Sequence, residues 1–482
     1  MDRFWSYVNP TRIEKPANPK DDETLQREHE ETQTSVGRVS AIFWAWKALL
    51  LGVACASPGL GYDTSTRILL DSYPLTKPTT GTVSLAVEHL VLRLMRWDAI
   101  YFASLSTRGH IFEQEWAFSW AWTKINSSFT EVMISPTFSP IVRHALAGII
   151  LSHLCHYLAV NALYKTITIL VPDKPRLAFT AACLHIISPA GIFLSAPYAE
   201  SGFALLNFFG TLSYVQAAKT RFFPAINTPH TEASWIVRAG FFFGVAAMVR
   251  SNGLFGVIPF AWDTLSAVSQ GKQLFTDSIL RRRFSATLAA GTLVPVGFAV
   301  TQIMALAEFC TPENPRPWCT RSLPSIYTFV QEHYWGVGFL RYWTPANLPL
   351  FVIAAPMLFV MLRTGTMALT QPHTIVNAVF PQRASSPSSA QASLLLHVLP
   401  RLAVPQILLA LLAATNFHVQ IINRISSGYP LWYLVLAVAL LAADGRKSQR
   451  IAQKSHIEWL IKGMVVYALV QAALFASFLP PA

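Results

Sequence analysis

The chain has 482 residues, of which 52% are hydrophobic and only 13% charged, and its mean hydropathy is +0.39. These values exclude an ordinary soluble domain and predict an integral membrane protein. The net charge of +12 does not point to nucleic acid, because the basic residues fall between apolar runs, as in loops that fix membrane topology.

Residues 10–37 read as a disordered tail. Its acids, Asp21, Asp22, Glu23, Glu28, Glu30 and Glu31, are wrong for a signal peptide, so the first apolar run is expected to stay as an uncleaved span. Residues 1–38 are assigned to a cytosolic tail and 39–480 to one polytopic unit. Runs at 39–57, 141–165, 177–195, 199–217, 235–250, 252–267, 284–308, 346–363, 396–414, 430–444 and 457–479 predict roughly eleven transmembrane helices, since a span needs roughly 20 mostly apolar residues.

Between the first two runs lies a loop, 58–140. Its segment 84–105 is long enough to span but carries Glu88, Arg93, Arg96 and Asp98. Each centrally buried Asp, Lys or Arg costs roughly 2.5–3.5 kcal/mol, so the segment is read as an amphipathic surface helix with Leu85, Leu92, Met95 and Ile100 toward lipid. Asp98 stands between Trp97 and Tyr101, and Glu113, Glu115 and Trp116 follow. A carboxylate placed to take a proton from a hydroxyl, with aromatic faces to stack on sugar rings, suits inverting sugar transfer. An interfacial aromatic belt with ordinary surface acids is the competing reading. Asn126-Ser127-Ser128 is a glycosylation acceptor sequence in this loop.

Further along, Pro197 breaks a helix and leaves Tyr198 and Glu200 near a turn between two spans. Arg250, with Asn252 close by, interrupts two apolar stretches. Its guanidinium suits a phosphate, or else snorkels to the interface. The loop 309–345 is dense in aromatics and carries His333 and Arg341, candidates to clamp a phosphate group. Residues 364–395, with a Ser/Ala/Gln/Pro-rich stretch from Gln371 to Ala392, read as a flexible cytosolic loop. Cys310 and Cys319 flank a Pro-rich stretch and would close a short loop by a disulfide in an oxidising compartment; the alternative is reduced structural cysteines.

If the spans alternate, Lys165, Lys174, Arg176, Lys219, Arg221, Lys272, Arg281, Arg282, Arg283, Arg446, Lys447, Arg450 and Lys454 share one side with the N-terminus. That side is expected to be cytosolic, which puts loops 58–140 and 309–345 in the lumen.

Taken together, these segments resemble the PIG-V family of mannosyltransferases. The resemblance is carried by Arg96-Trp97-Asp98-Ala99 with Tyr101-Phe102, by Glu113 with Ala117-Phe118, and by Pro189-Ala190 through Tyr198 and Glu200. Arg250 with Asn252-Gly253, Pro317-Trp318-Cys319 and Tyr334-Trp335 through Trp343 extend it in order along the chain. Two departures are Ser188 before Pro189 and Ser119-Trp120 after Phe118, where the family tends toward other residues. The resemblance implies an all-α GT-C type glycosyltransferase of the endoplasmic reticulum membrane with a lumenal catalytic loop. Its donor would be dolichyl-phosphate mannose, its acceptor a one-mannose glycosylphosphatidylinositol (GPI) precursor, and its product an α-1,6 linkage. Asp98 would be the general base, with Arg96, Trp97, Glu113, Tyr198, Glu200, Arg250, Asn252, His333 and Arg341 binding substrate. No cofactor beyond the donor is implied. The metal requirement stays open, since Asp98 and Glu113 form no compact Asp-x-Asp pattern. A small accessory membrane subunit accompanies some fungal members. The alternatives are a different acceptor for the same donor, or a transporter, whose acids would line a pathway at the bilayer midplane.

Overall fold

The computed structural model describes residues 19–58, 63–73, 82–224, 229–312, 316–380, 389–442 and 448–480, and every regular element among them is helical. Residues 1–18 of the expected tail, and Arg446 and Lys447 of the basic set, lie outside them. By length and apolarity seven helices are able to cross a membrane: Val36–Ala56, Pro140–Leu170, His230–Val249, Ser278–Phe309, Pro345–Thr370, Ala390–Thr415 and Ser455–Ala476. An eighth candidate is a pair bent by 82°, Val419–Gly428 and Leu431–Ala442.

Two of the other predicted runs, 177–195 and 252–267, fold differently, for local reasons. Run 177–195 gives a helix of 12 residues, Pro175–Ile186, followed by irregular chain and a short 3-10 turn, Gly191–Leu194. Pro189 and Pro197 lack amide hydrogens and Gly191 sits at φ 38°, so no continuous helix is possible there. Run 252–267 is split into a 3-10 turn, Ser251–Val257, and the helix Ile258–Val268. Run 199–217 lies in the helix Glu200–Phe222, whose polar residues Glu200, Asn207, Thr211 and Ser213 are buried by protein. Expected loops also shrink. The first helix starts at Pro19, Leu348–Thr370 runs into the expected 364–395 loop, and Pro372–Val379 adds a short helix there.

Segment 84–105 is not one surface helix but two, Thr82–Leu94 and Asp98–Arg108, broken at residues 95–97. Met95, expected to face lipid, is fully buried, as is Arg96, and Arg93 is largely buried.

Helices Glu200–Phe222, Pro229–Val249 and Ser278–Phe309 pack side by side. A Cβ on Gly240 would stand 2.5 Å from Ala290, and one on Gly297 2.0 Å from the Gly244 carbonyl. Small residues thus let two membrane helices touch along their backbones, which is where association within lipid gains its dispersion contacts. The irregular chain before Glu200 is tolerated because other helices satisfy its carbonyls. Lys47 Nζ donates to the Leu194 carbonyl and to Ser195 Oγ, each at 2.8 Å, and Ser152 Oγ donates to the Ala196 carbonyl at 2.7 Å. This turn delivers Tyr198 and Glu200 to the site.

Candidate active site

Asp98 is the first residue of its helix, where the free amides and the dipole favour a carboxylate. The residue before it, Trp97, has φ 55°, a left-handed conformation that is strained for a bulky residue. The turn is held from behind. The Tyr198 hydroxyl donates to the Arg96 carbonyl at 3.3 Å, the Arg96 guanidinium lies 5.0 Å from the Phe478 ring centre, and the Trp97 ring packs 5.0 Å from Phe478.

Four charged groups alternate across the site. Arg424 Nη2 lies 2.8 Å from Asp98 Oδ2, Arg424 Nε 3.2 Å from Glu200 Oε1, and Arg250 Nη1 2.8 Å from the same Glu200 oxygen. The Glu200 contacts are close ion pairs, not aligned hydrogen bonds. Glu200 is 1% exposed and Asp98 35% by side chain, so Glu200 is the anchor beneath and Asp98 the acid on the surface of the cleft.

That cleft has a volume of about 290 Å³. Asp98, Arg250, Asn252 and Arg424 line it together with Tyr101, Phe118, Tyr327, Trp335 and His418. The Tyr101 and Phe118 rings stack at 4.4 Å, and Trp335 meets Phe118 edge-on at 5.6 Å, which gives the cleft an aromatic wall. Burial, and then the charge of Asp98, raise the Tyr101 phenol, which keeps it a hydrogen-bond donor at neutral pH. The Asn252 amide donates to the Tyr429 hydroxyl at 3.3 Å while that hydroxyl donates to the Asn252 carbonyl at 3.1 Å, fixing the strand of chain beside Arg250. A second cavity of about 160 Å³ shares Asp98, His418, Ile421 and Arg424 with the first.

Of the residues expected to bind substrate, Arg250 and Asn252 line the cleft, and Trp97 and Tyr198 line the second cavity. Glu200 lies under both arginines. Arg96 is buried behind the Asp98 turn and lines neither cavity. His333 stacks on Phe329 at 5.0 Å, and Arg341 pairs with Glu332 at 3.3 Å while half exposed; neither lines the cleft or the second cavity.

Glu113 has another task. Its carboxylate receives Arg316 Nε and Nη2, both at 2.9 Å, and the Trp318 indole N–H at 2.7 Å. Arg316 and Trp318 belong to the loop closed by a Cys310–Cys319 disulfide, so Glu113 clamps that loop against the turn leading to Phe118. The neighbouring Glu115 pairs with Arg108 at the end of the preceding helix. Glu113→Gln is therefore expected to lower the thermal midpoint or cellular abundance, by about 1–3 kcal/mol of stability, with KM for both substrates unchanged; a raised KM would return Glu113 to the binding site. Asn126, of the glycosylation acceptor sequence, is 2% exposed on a helix, with its amide donating to Ser106 Oγ and the His144 carbonyl, both at 3.0 Å.

Arg424 lines the cleft and pairs with Asp98, and was not among the residues expected from the sequence. Its signal was a cation set among Ile421, Ile422 and Ile425, where an arginine is costly without a partner. Among the described residues no cluster of three His, Cys, Asp or Glu side chains is arranged to hold a metal.

A family model described as "Mannosyltransferase (PIG-V)" matches residues 41–482. A curated relative from Aspergillus oryzae, "GPI mannosyltransferase 2", is 40% identical over 457 residues, covering 92% of this chain and 95% of that protein. Proteins of the same description from Gibberella zeae and Yarrowia lipolytica are 40% and 31% identical, each over 92% of this chain and 97% and 98% of their own lengths. Against a crystal structure of the Archaeoglobus fulgidus oligosaccharyltransferase the TM-score is 0.41 at 11% identity, over 91% of this chain and 56% of that one.

Proposed function

The chain belongs to the PIG-V family of mannosyltransferases, and from that premise we propose that it adds the second mannose, in α-1,6 linkage, to the one-mannose GPI precursor, with dolichyl-phosphate mannose as donor. The observation that carries the reading is the Asp98–Arg424 pair at the wall of an aromatic cleft, an acid and a cation in contact at 2.8 Å. Inverting transfer needs both, one for the incoming hydroxyl and one for the departing phosphate.

On this reading the acceptor hydroxyl loses its proton to Asp98 as its oxygen bonds to the anomeric carbon of the donor mannose. The bond from that carbon to the phosphate oxygen breaks, and its electron pair leaves with dolichyl phosphate. Arg250 and Arg424 face that oxyanion. Glu200, unable to leave its buried seat, keeps the two guanidiniums from drifting apart while neutralising part of their charge. Because both substrates are lipid-anchored, the enzyme's main work is alignment, which converts a bimolecular step into a nearly unimolecular one.

The site is assigned to the lumenal face of the endoplasmic reticulum, supported by the disulfide in the loop that Glu113 holds. A small accessory membrane subunit belongs to the same proposal. The test is lipid analysis of cells depleted of the protein and fed radiolabelled mannose or inositol. A one-mannose GPI lipid is expected to build up and to clear when the wild-type gene is restored. Normal GPI lipids after depletion would sink the acceptor assignment.

A further inference from the structure

We propose that the smaller cavity, across the Asp98–Arg424 pair from the cleft, is the subsite for the accepting sugar: a neutral hexopyranose at the end of a lipid-linked glycan. The inference rests on the mannosyltransfer reading above and divides its site in two.

Position is the first argument. Asp98 and Arg424 line both cavities, so the proton acceptor and the cation stand at the boundary where two reacting sugars would meet. Charge is the second. The larger cleft carries both arginines, Arg250 and Arg424, and suits the anionic donor. In the smaller cavity the single cation is Arg424, already engaged by Asp98 and Glu200. Apart from His418, which it shares with the cleft, the remaining polar wall is built of amides and phenols, Gln420, Asn423, Tyr198 and Tyr467, with Trp97 and Phe193 for aromatic faces. Amides and phenols beside aromatic rings are what a sugar with many hydroxyls and apolar ring faces requires.

Fixed geometry is the third argument. The Asn423 amide donates to the Tyr467 hydroxyl at 3.2 Å and to the Ile353 carbonyl at 3.4 Å, and the Tyr342 hydroxyl donates to Gln420 Oε1 at 3.1 Å. These bonds hold the polar wall ready before a ligand arrives, which lowers the ordering cost of binding. The volume, about 160 Å³, has room for one pyranose ring. A sugar there would direct a hydroxyl across the boundary at Asp98.

The test uses the full-length membrane protein and a synthetic one-mannose glycolipid acceptor, with acceptor and dolichyl-phosphate mannose varied in turn. Asn423→Ala and Tyr467→Phe are expected to raise the acceptor KM by about 5- to 30-fold, the range of one or two lost hydrogen bonds, with the donor KM unchanged. If Asn423→Ala fails to accumulate, Tyr467→Phe, which removes a single oxygen, decides. An acceptor KM equal to wild type in the folded variants, or a rise in donor KM instead, overturns the assignment of this cavity alone. Wild-type protein that transfers no mannose to this acceptor overturns the underlying mannosyltransfer reading and the subsite with it.

Discussion

Asp98→Asn is expected to lower mannosyl transfer by about 10²- to 10⁴-fold, the range that general-base catalysis contributes, while the protein accumulates to near wild-type levels. Asparagine has the same shape and keeps an oxygen toward Arg424, so the fold should hold. It takes no proton from a hydroxyl at neutral pH. The structure leaves no substitute: Asp98 is the only acid lining either cavity among the described residues. Glu113 is held by Arg316 and Trp318, and Glu200 lies buried below two guanidiniums. Asp98→Glu should retain the chemistry but misplace it, and is expected to fall between wild type and Asp98→Asn. Steady-state transfer from radiolabelled donor in membranes, normalised to protein abundance, measures all three. Activity of Asp98→Asn within about tenfold of wild type would mean that Asp98 does not accept the proton.

How much of this was legible in the sequence depended on the range of the interaction. Apolar runs are local, and each of the seven candidate spans coincides with a predicted run, because length and apolarity are properties of the local sequence. Runs 177–195 and 252–267 failed because apolarity reports burial and not backbone form: proline and glycine broke the helices, while the surrounding protein took over the role of lipid. Asp98 was visible because a carboxylate among aromatics at a membrane boundary is locally costly. The role of Glu113 was not, since its partner Arg316 lies 203 residues away, and no pattern in a single chain announces that distance. Arg341 shows the converse. Its aromatic surroundings suggested a binding role, but its partner Glu332 is only nine residues away and both face solvent.

Arg424→Gln is expected to reduce transfer by about 10²- to 10³-fold, comparable with the loss of one preorganised donor to a developing oxyanion, and here stability changes as well. The chain Arg250, Glu200, Arg424 and Asp98 alternates in sign and sums to zero charge. Removing Arg424 leaves buried Glu200 with Arg250 alone and takes away the cation that Asp98 contacts, and a broken buried pair destabilises by up to about 3–5 kcal/mol. Asp98 is a third exposed and contributes the smaller part. Low activity of Arg424→Gln alone would thus be ambiguous between catalysis and folding. The double variant Asp98→Asn with Arg424→Gln resolves it, because it returns the cluster to one neutral pair, Arg250 with Glu200. Abundance and thermal midpoint are expected to recover toward wild type while transfer stays as low as in either single variant, a non-additive outcome of the kind seen for residues that act as one unit. Arg424→Lys keeps the charge without the planar fork and should be stable but impaired, since an ammonium does not reach Asp98, Glu200 and a phosphate in one plane. Recovery of transfer together with stability in the double variant would show that Arg424 only balances charge, and the donor phosphate would then have to be sought at Arg250 alone.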